Sequence, residues 1–350
     1  MKAMILAAGV GSRLDPLTRN VPKPLAPVAG APVMEHLVHL LVRHNFTDVI
    51  ANTHYLGDKI EQFFGDGSQF GAKMLFNRES ELLGTAGGVK RVAENFSFFD
   101  ADETFLVIGG DDLTDIDLTA MLRFHHEKNA LVTIGLTEVE DPSQFGVVVL
   151  ESDGRIQRFV EKPAPGTAPS NLVNTGVYLF SPRVLDLIPS GQFYDFGKEL
   201  FPLLIEQNAA FYGYASEFHW RDVGSLRDYR EAQDDFFDGH LPMSHLKGES
   251  RDGIWMGENC QIDPTAILSA PAIIGNNVTI GAGACVEEKS VIGDNCSIGA
   301  RARVSHSILW RGASVHDDTQ IFRSILGEGA NVQSNVGVFD ATVVSAEKAK

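Results

Sequence analysis

The sequence predicts an α/β domain over residues 1–237, a linker over 238–252 and a parallel β-helix over 253–350. Three observations carry this. Apolar strand-like runs alternate with amphipathic helical stretches through the first part, the pattern of βαβ units in a mostly parallel sheet with helices on both faces. Residues 238–252 are polar, contain Gly and Pro, and show no period. Beyond them aliphatic residues recur every six positions. A chain of 350 residues also exceeds one typical core, so two domains are expected on length alone.

In chain order, Lys2–Ala7 reads as a buried strand. Pro32–His44 carries Met34, Leu37, Val38 and Leu41 at helical spacing. Asp48–Asn52 is a strand, Asp58–Phe64 a short helix and Lys73–Phe76 a strand. Gly84–Glu94 is a helix, Thr104–Ile108 a strand, Asp117–Lys128 a helix and Leu131–Leu136 a strand. The sheet is therefore expected to be Rossmann-like. Ligands of such sheets sit beyond the carboxyl ends of the strands, where the loops starting at Ala8, Asn52 and Gly109 fall.

In the last part, Ile274, Ile280, Val286, Ile292, Ile298 and Val304 hold strict six-residue register, mostly followed by Gly. Weaker echoes occur at Ile262, Val315, Ile321 and Val332. The pattern resembles the hexapeptide repeat of left-handed β-helices, in which three hexads make one triangular coil around a narrow core. Solenoid ends and edges invite association, so a homo-oligomer involving this domain is expected.

Composition excludes several classes. Hydrophobic content of 44% with 21% charged residues is that of an ordinary globular protein. No apolar run is long enough to cross a bilayer. A net charge of −17 argues against nucleic-acid or membrane-surface partners. Cys260, Cys285 and Cys296 have no metal spacing and read as buried free thiols, which suits a cytoplasmic location. His125 and His126 are expected to be solvated on the polar side of their helix.

Against that negative charge, one loop stands out. Leu6-Ala7-Ala8-Gly9-Val10-Gly11-Ser12-Arg13-Leu14 follows the first strand, and Pro22-Lys23-Pro24 closes it. Glycine lets a backbone turn and approach a ligand, and exposed N–H groups in such a turn form an anion site. Arg13 and Lys23 add two cations, so the chemistry is aimed at a polyphosphate. The spacing is neither GxxxxGK[ST] nor GxGxxG. The whole pattern, Gly-x-Gly-x-Arg-Leu-x-Pro-Leu-Thr and then Pro-Lys-Pro, resembles the signature of the sugar-nucleotidyltransferases, with Ala8 where that family often has Gly.

The resemblance extends along the chain. Gly110-Asp111-x-Leu113 and Trp220-Arg221-Asp222-Val223-Gly224 match the two segments whose aspartates hold Mg²⁺ in that family, with Asp112 competing with Asp111 for the role. Two carboxylates with phosphate oxygens and waters suit Mg²⁺. Val160-Glu161-Lys162-Pro163 matches the segment whose Lys meets the phosphate of the sugar phosphate and whose Glu meets a sugar hydroxyl. Asn174-Thr175-Gly176 matches the segment whose Asn contacts the sugar, and Gly146 the glycine whose backbone lies against it. Leu6, Ala8, Gly9, Gly11, Ser12, Arg13, Lys23, Glu79, Gly84 and Thr85 fall at nucleotide-side positions. The implied reaction joins a nucleoside triphosphate and a sugar 1-phosphate into a nucleotide sugar, releasing pyrophosphate.

Glu79 bears on the base. Several uridylyl- and thymidylyl-transferases carry Gln there, which both donates and accepts, whereas a carboxylate only accepts. Guanine offers two adjacent donors, so Glu79 favours GTP, with UTP the alternative. The two-domain layout most resembles the mannose-1-phosphate guanylyltransferases, and the alternative pairing is UTP with glucose 1-phosphate. Two further readings remain. A non-catalytic regulatory relative would have lost charged site residues, yet Arg13, Lys23, Asp111, Lys162 and Asp222 are all present. A hexapeptide acyltransferase would use a His such as His306 or His316, but no long insertion interrupts the repeat to build an acyl-CoA site.

Overall fold

The computed structural model describes residues 1–99, 103–242 and 249–345. Residues 243–248 of the expected linker and 346–350 of the expected β-helix lie outside the described residues. By contacts the chain forms two units. Met1–Val10, Pro22–Pro24 and Val33–Val223 make the first; Gly11–Val21, Leu25–Pro32 and the chain from Gly224 make the second.

The first unit is built on a nine-stranded sheet. Phe105–Gly109, Lys2–Ala7, Asp48–Thr53 and Lys73–Arg78 lie side by side in that order, all parallel. Helices Val33–Arg43, Gly57–Phe64 and Gly84–Phe96 connect them. On the other side of Phe105–Gly109 the sheet turns antiparallel. Leu172–Phe180 pairs with Phe105–Gly109, and Val132–Glu138 pairs with Leu172–Phe180. The antiparallel hairpin Gly146–Leu150 and Ile156–Glu161 forms the far edge. The expected parallel arrangement thus holds around Lys2–Ala7 and gives way to antiparallel pairing beyond Phe105–Gly109, except that the ninth strand, Phe211–Ala215, lies parallel to Val132–Glu138. Met4, Ile50, Val107, Ile134 and Phe201 are fully buried in one core cluster.

Helix Leu118–Glu127 starts at Asp117, whose Oδ1 accepts from the Ala120 N–H at 2.9 Å and caps it. His125 on this helix is not solvated as expected. Its ring is 2% exposed, and Nδ1 lies 2.8 Å from Thr133 Oγ1. Burial lowers its pKa to about 4, so the ring is neutral at physiological pH.

The second unit carries a three-sided parallel β-helix, with sheets of seven, five and five strands. The antiparallel pair Glu249–Arg251 and Ile254–Met256 starts it, pairing Ile254 to Ala272 and thence to Ser290 at 18-residue steps. The step then shortens: Val291 lies beside Ile308, Ile308 beside Ile325, and Ile325 beside Thr342. One corner of each later coil has lost a residue, and the chain passes it with His306, Arg323 and Asp340 at positive φ. Ser290, Ser307 and Ser324 line the inside of that corner, fully buried. Ser307 donates to the Ser305 carbonyl at 2.7 Å and accepts from the Ser324 N–H at 3.1 Å. Ile274, Ile280, Val286, Ile292, Ile298 and Val304 fill the core as the hexads predict. All three cysteines are free thiols; Cys296 is buried, whereas Cys260 and Cys285 are only half-buried.

Helix Leu226–Phe237 belongs to this second unit. Tyr229 is fully buried, its hydroxyl donating to the Pro27 carbonyl at 2.5 Å and accepting from Trp310 Nε1 at 2.7 Å. Gln233 accepts from the Ala29 N–H at 2.8 Å and donates to the Pro27 carbonyl at 3.2 Å. Tyr229→Phe leaves the buried Trp310 N–H without this acceptor. The expected loss is about 1–3 kcal/mol, read in urea from tryptophan emission. A change within experimental error would show that this contact contributes little.

Candidate functional site

The loops after the first, second and fourth parallel strands converge, as expected, at the carboxyl end of the sheet. The Gly110 N–H donates to the Leu6 carbonyl at 2.9 Å, and a Cβ at Gly110 would stand 2.8 Å from that oxygen. Glycine is therefore needed for the Asp111 loop to lie against the end of the first strand. Strand Trp220–Asp222 pairs antiparallel with Asp112–Thr114, setting Asp222 opposite Asp112, and the Val223 N–H donates to the Asp111 carbonyl at 3.0 Å. Two segments over a hundred residues apart in sequence are thus brought into register.

The result is a cluster of three carboxylates. One oxygen from each of Asp111, Asp112 and Asp222 lies within 4.8 Å of the others. Lys23, only 7% exposed, bonds Asp111 Oδ2 and lies 3.3 Å from Asp222 Oδ1. Burial opposes the charge on Lys23, but the two carboxylates outweigh it and hold the pKa above its usual value. Asp112 is more deeply placed. Its Oδ1 accepts from Trp220 Nε1 at 3.1 Å, and its carboxyl group fills the space left by the missing side chains of Gly109 and Gly176. At Gly176, where φ is +74°, a Cβ would stand 2.6 Å from Asp112 Oδ2. Burial, reinforced by Asp111 and Asp222, raises the Asp112 pKa well above 3.8.

Asp111 and Asp222 keep 38% and 24% of their side chains exposed, whereas Asp112 is almost wholly enclosed. An oxygen-rich group of acids that already gathers a cation fits a hard divalent metal. The two exposed carboxylates are the ones that would hold it.

The other sequence-predicted residues divide. Ala8 is nearly buried, Gly9 is exposed, and a Cβ at Gly9 would meet no atom within 4 Å. Gly11, Ser12 and Arg13 cluster with the second unit, where Gly11 adopts φ 69° and its carbonyl accepts from Thr18 Oγ1 at 3.0 Å. Gly84 at φ +74° packs on the Tyr194 carbonyl. Thr85 Oγ1 is engaged within the protein, donating to Asp195 Oδ2 at 3.0 Å and accepting from the Phe196 N–H at 2.7 Å. Asn174 likewise bonds Tyr178 OH at 2.9 Å and the Gly176 N–H at 3.0 Å. Gly146 makes room for the Phe159 ring and Glu161. Lys162 has φ 44°, and its N–H donates to the Phe145 carbonyl at 3.0 Å. Burial raises the Glu161 pKa, with Lys162 opposing and Asp195 adding to the shift.

Glu79 is not a free arm but a buried group, 3% exposed. Its Oε1 accepts from Asn52 Nδ2 at 2.7 Å. Asn52 is the residue that sequence reasoning passed over. Its position at the end of the second strand was the available signal.

Comparison with known proteins gives the family. Residues 2–238 match the Nucleotidyl transferase family model, and the chain belongs to that family. Residues 251–349 match a model described as the EIF2B subunit epsilon LbH domain, the left-handed β-helix that the hexads predict. A UTP–glucose-1-phosphate uridylyltransferase of Synechocystis is 41% identical over 79% of this chain and 74% of its own. A mannose-1-phosphate guanylyltransferase of Mycobacterium tuberculosis is 34% identical over 78% of this chain and 74% of its own. Among solved structures, HddC from Yersinia pseudotuberculosis shares the fold, with TM-score 0.58 at 24% identity over 67% of this chain and 99% of that one. The protein is an enzyme of the sugar-nucleotidyltransferase group. Among the described residues, no helix is long and apolar enough to cross a membrane.

Proposed function

We propose that the protein joins a nucleoside triphosphate to a sugar 1-phosphate and releases pyrophosphate. The carboxylate cluster of Asp111, Asp112 and Asp222 around Lys23 is the observation that carries this reading. A sugar-phosphate oxygen attacks the α-phosphorus in line, the bond to the β-phosphate oxygen breaks, and pyrophosphate leaves. Asp111 and Asp222 are the residues that would hold Mg²⁺, which when bound neutralises charge on the reacting phosphates. In this reading Lys23 and Arg13 bind the triphosphate and leaving group. The backbone of Leu6, Ala8, Gly9, Gly11 and Ser12 lines the phosphates. Gly84, Thr85 and Glu79 lie on the base and ribose side. Lys162 anchors the attacking phosphate, while Glu161, Asn174 and Gly146 face the sugar. Much of the acceleration comes from positioning and fixed charge.

The first substrate pairing is GTP with mannose 1-phosphate, supported by the carboxylate at Glu79. UTP with glucose 1-phosphate is the second. It is supported by the 41% identical uridylyltransferase and by the engagement of Glu79 Oε1 with Asn52, which leaves less of the carboxylate for a two-donor edge. Pyrophosphate release from four nucleoside triphosphates against both sugar phosphates decides between them. No release in any combination would overturn the proposed activity.

Exposed Ile267, Phe322 and Phe339 on the β-helix support assembly of copies through that unit. A monomeric mass in solution would refute it. The free cysteines support a cytoplasmic location.

A further inference from the structure

Asn52 lies between two groups with opposite needs. Strand register puts it beside Leu6 of the first strand and Asn77 of the third. Its Oδ1 accepts the Ala7 N–H at 2.9 Å, and its Nδ2 donates to Glu79 Oε1 at 2.7 Å. Asn52 and Glu79 are each only 3% exposed. Helix Gly84–Phe96 closes over the pair at Gly88, where a Cβ would stand 3.0 Å from Glu79 Oε1 and 3.1 Å from Asn52 Nδ2. A backbone N–H can only donate, so the amide of Asn52 has one permitted orientation. Its NH₂ must face residue 79, and the atom it meets must be an acceptor.

We infer that Asn52 is a positioning residue that sets the hydrogen-bonding polarity residue 79 presents to the nucleotide base. This rests on the proposed placement of Glu79 beside the base. Oε1 is committed to Asn52, so the other terminal atom of residue 79 does the reading. In the wild type that atom is an acceptor. In Glu79→Gln the oxygen of the new amide stays on Asn52, and its NH₂ is turned to the base. The donor then confronts guanine N1–H and N2–H₂ but finds acceptors on uracil. A specificity change at position 79 is therefore written in part at position 52.

The test is a reciprocal swap. Asn52→Asp combined with Glu79→Gln keeps the charge of the pair and all its hydrogen bonds. The new carboxylate at position 52 accepts from the Ala7 N–H and from the new amide at position 79. That amide is thereby reversed, so its oxygen faces the base again. Kd for GTP and UTP, and kcat/KM with the better sugar phosphate, are measured for wild type, both single variants and the swap. Glu79→Gln alone is expected to lower the GTP:UTP ratio about 5- to 150-fold, the effect of one unmade buried hydrogen bond. The swap is expected to return the ratio to within about tenfold of wild type. A purely structural bond would let the swap restore stability without restoring the ratio. A swap that folds, by its circular dichroism and melting temperature, yet keeps the ratio of Glu79→Gln overturns the inference and leaves the proposed activity standing. If the swap does not fold, Glu79→Gln in an Asn52→Ala background replaces it. With Asn52 gone the amide can turn, so the Glu79→Gln effect should shrink at least fivefold; an undiminished effect overturns the inference. Wild-type protein that binds neither nucleotide overturns both.

Discussion

Asp222→Asn is expected to cut turnover by roughly 10²–10³ while leaving the fold in place, the scale of one preorganised electrostatic contact. The change keeps the shape of the side chain and removes the charge facing Lys23 and Asp111. Its effect on stability should run the other way. Asp111, Asp112 and Asp222 repel one another, and Asp222 contributes to the raised pKa of Asp112. Removing one charge relieves that repulsion, so the ligand-free variant should melt no lower than wild type. Mg²⁺ should also raise its melting temperature less. Stability traded against activity at one residue is the mark of a functional site. Near-normal turnover at saturating Mg²⁺ would remove Asp222 from the proposed metal pair.

Lys23→Met is the second large effect, and here stability falls. The substitution keeps an apolar stem of similar length but withdraws the ammonium shared by Asp111 and Asp222. Breaking a fully buried pair costs about 3–5 kcal/mol; with Asp111 partly exposed, about 2–3 kcal/mol is expected at pH 8. The loss has a definite pH dependence. The Asp112 pKa is already raised above 3.8, and losing a neighbouring cation raises it further. A carboxyl group with a raised folded pKa holds its proton more tightly folded than unfolded. The part of the deficit carried by Asp112 is thus complete above the variant's further-raised value, shrinks as pH falls through it and vanishes below the wild-type value. Urea midpoints at pH 8 and pH 4.5 measure this. An equal deficit at both would assign the loss to packing of the stem rather than to charge.

The elements with long periodic patterns were legible. The first strand, the helices at Val33–Arg43 and Leu118–Glu127 and the hexads appear where the spacing puts them, because burial on one face imposes that spacing. The weak echoes at Val315, Ile321 and Val332 have a simple cause. The steps from Val304 to Leu309 and from Ile321 to Leu326 are each one residue short, and the six-residue register resumes after each. Between residues 138 and 222 strands no longer alternate with long helices and the pairing is mixed, antiparallel for Gly146–Leu150, Ile156–Glu161 and Leu172–Phe180 but parallel for Phe211–Ala215, so motifs there stood without elements to hold them. The acidic cluster was legible because its three aspartates sit in two recognisable segments. The Asn52–Glu79 bond was not, since it depends on the register of three strands and on a helix glycine. The inward engagement of Asn174 with Tyr178 and of Thr85 with Asp195 was hidden for the same reason: sequence gives a residue's chemistry, but not which way its side chain turns.

The division of the chain into units also orders events in time. Residues Gly11–Val21 and Leu25–Pro32 emerge early in synthesis but belong to the second unit. Tyr229 and Gln233, which bond Pro27 and Ala29, follow only after the whole of Val33–Val223 has been made. At about 5–20 residues per second that delay is roughly 10–40 s. During it, Leu14, Leu17, Val28 and Ala29, each no more than 4% exposed in the finished protein, have no completed core to enter. A ribosome stalled before Gly224 should display the amino-terminal segment as a protease-sensitive stretch beside an already folding sheet.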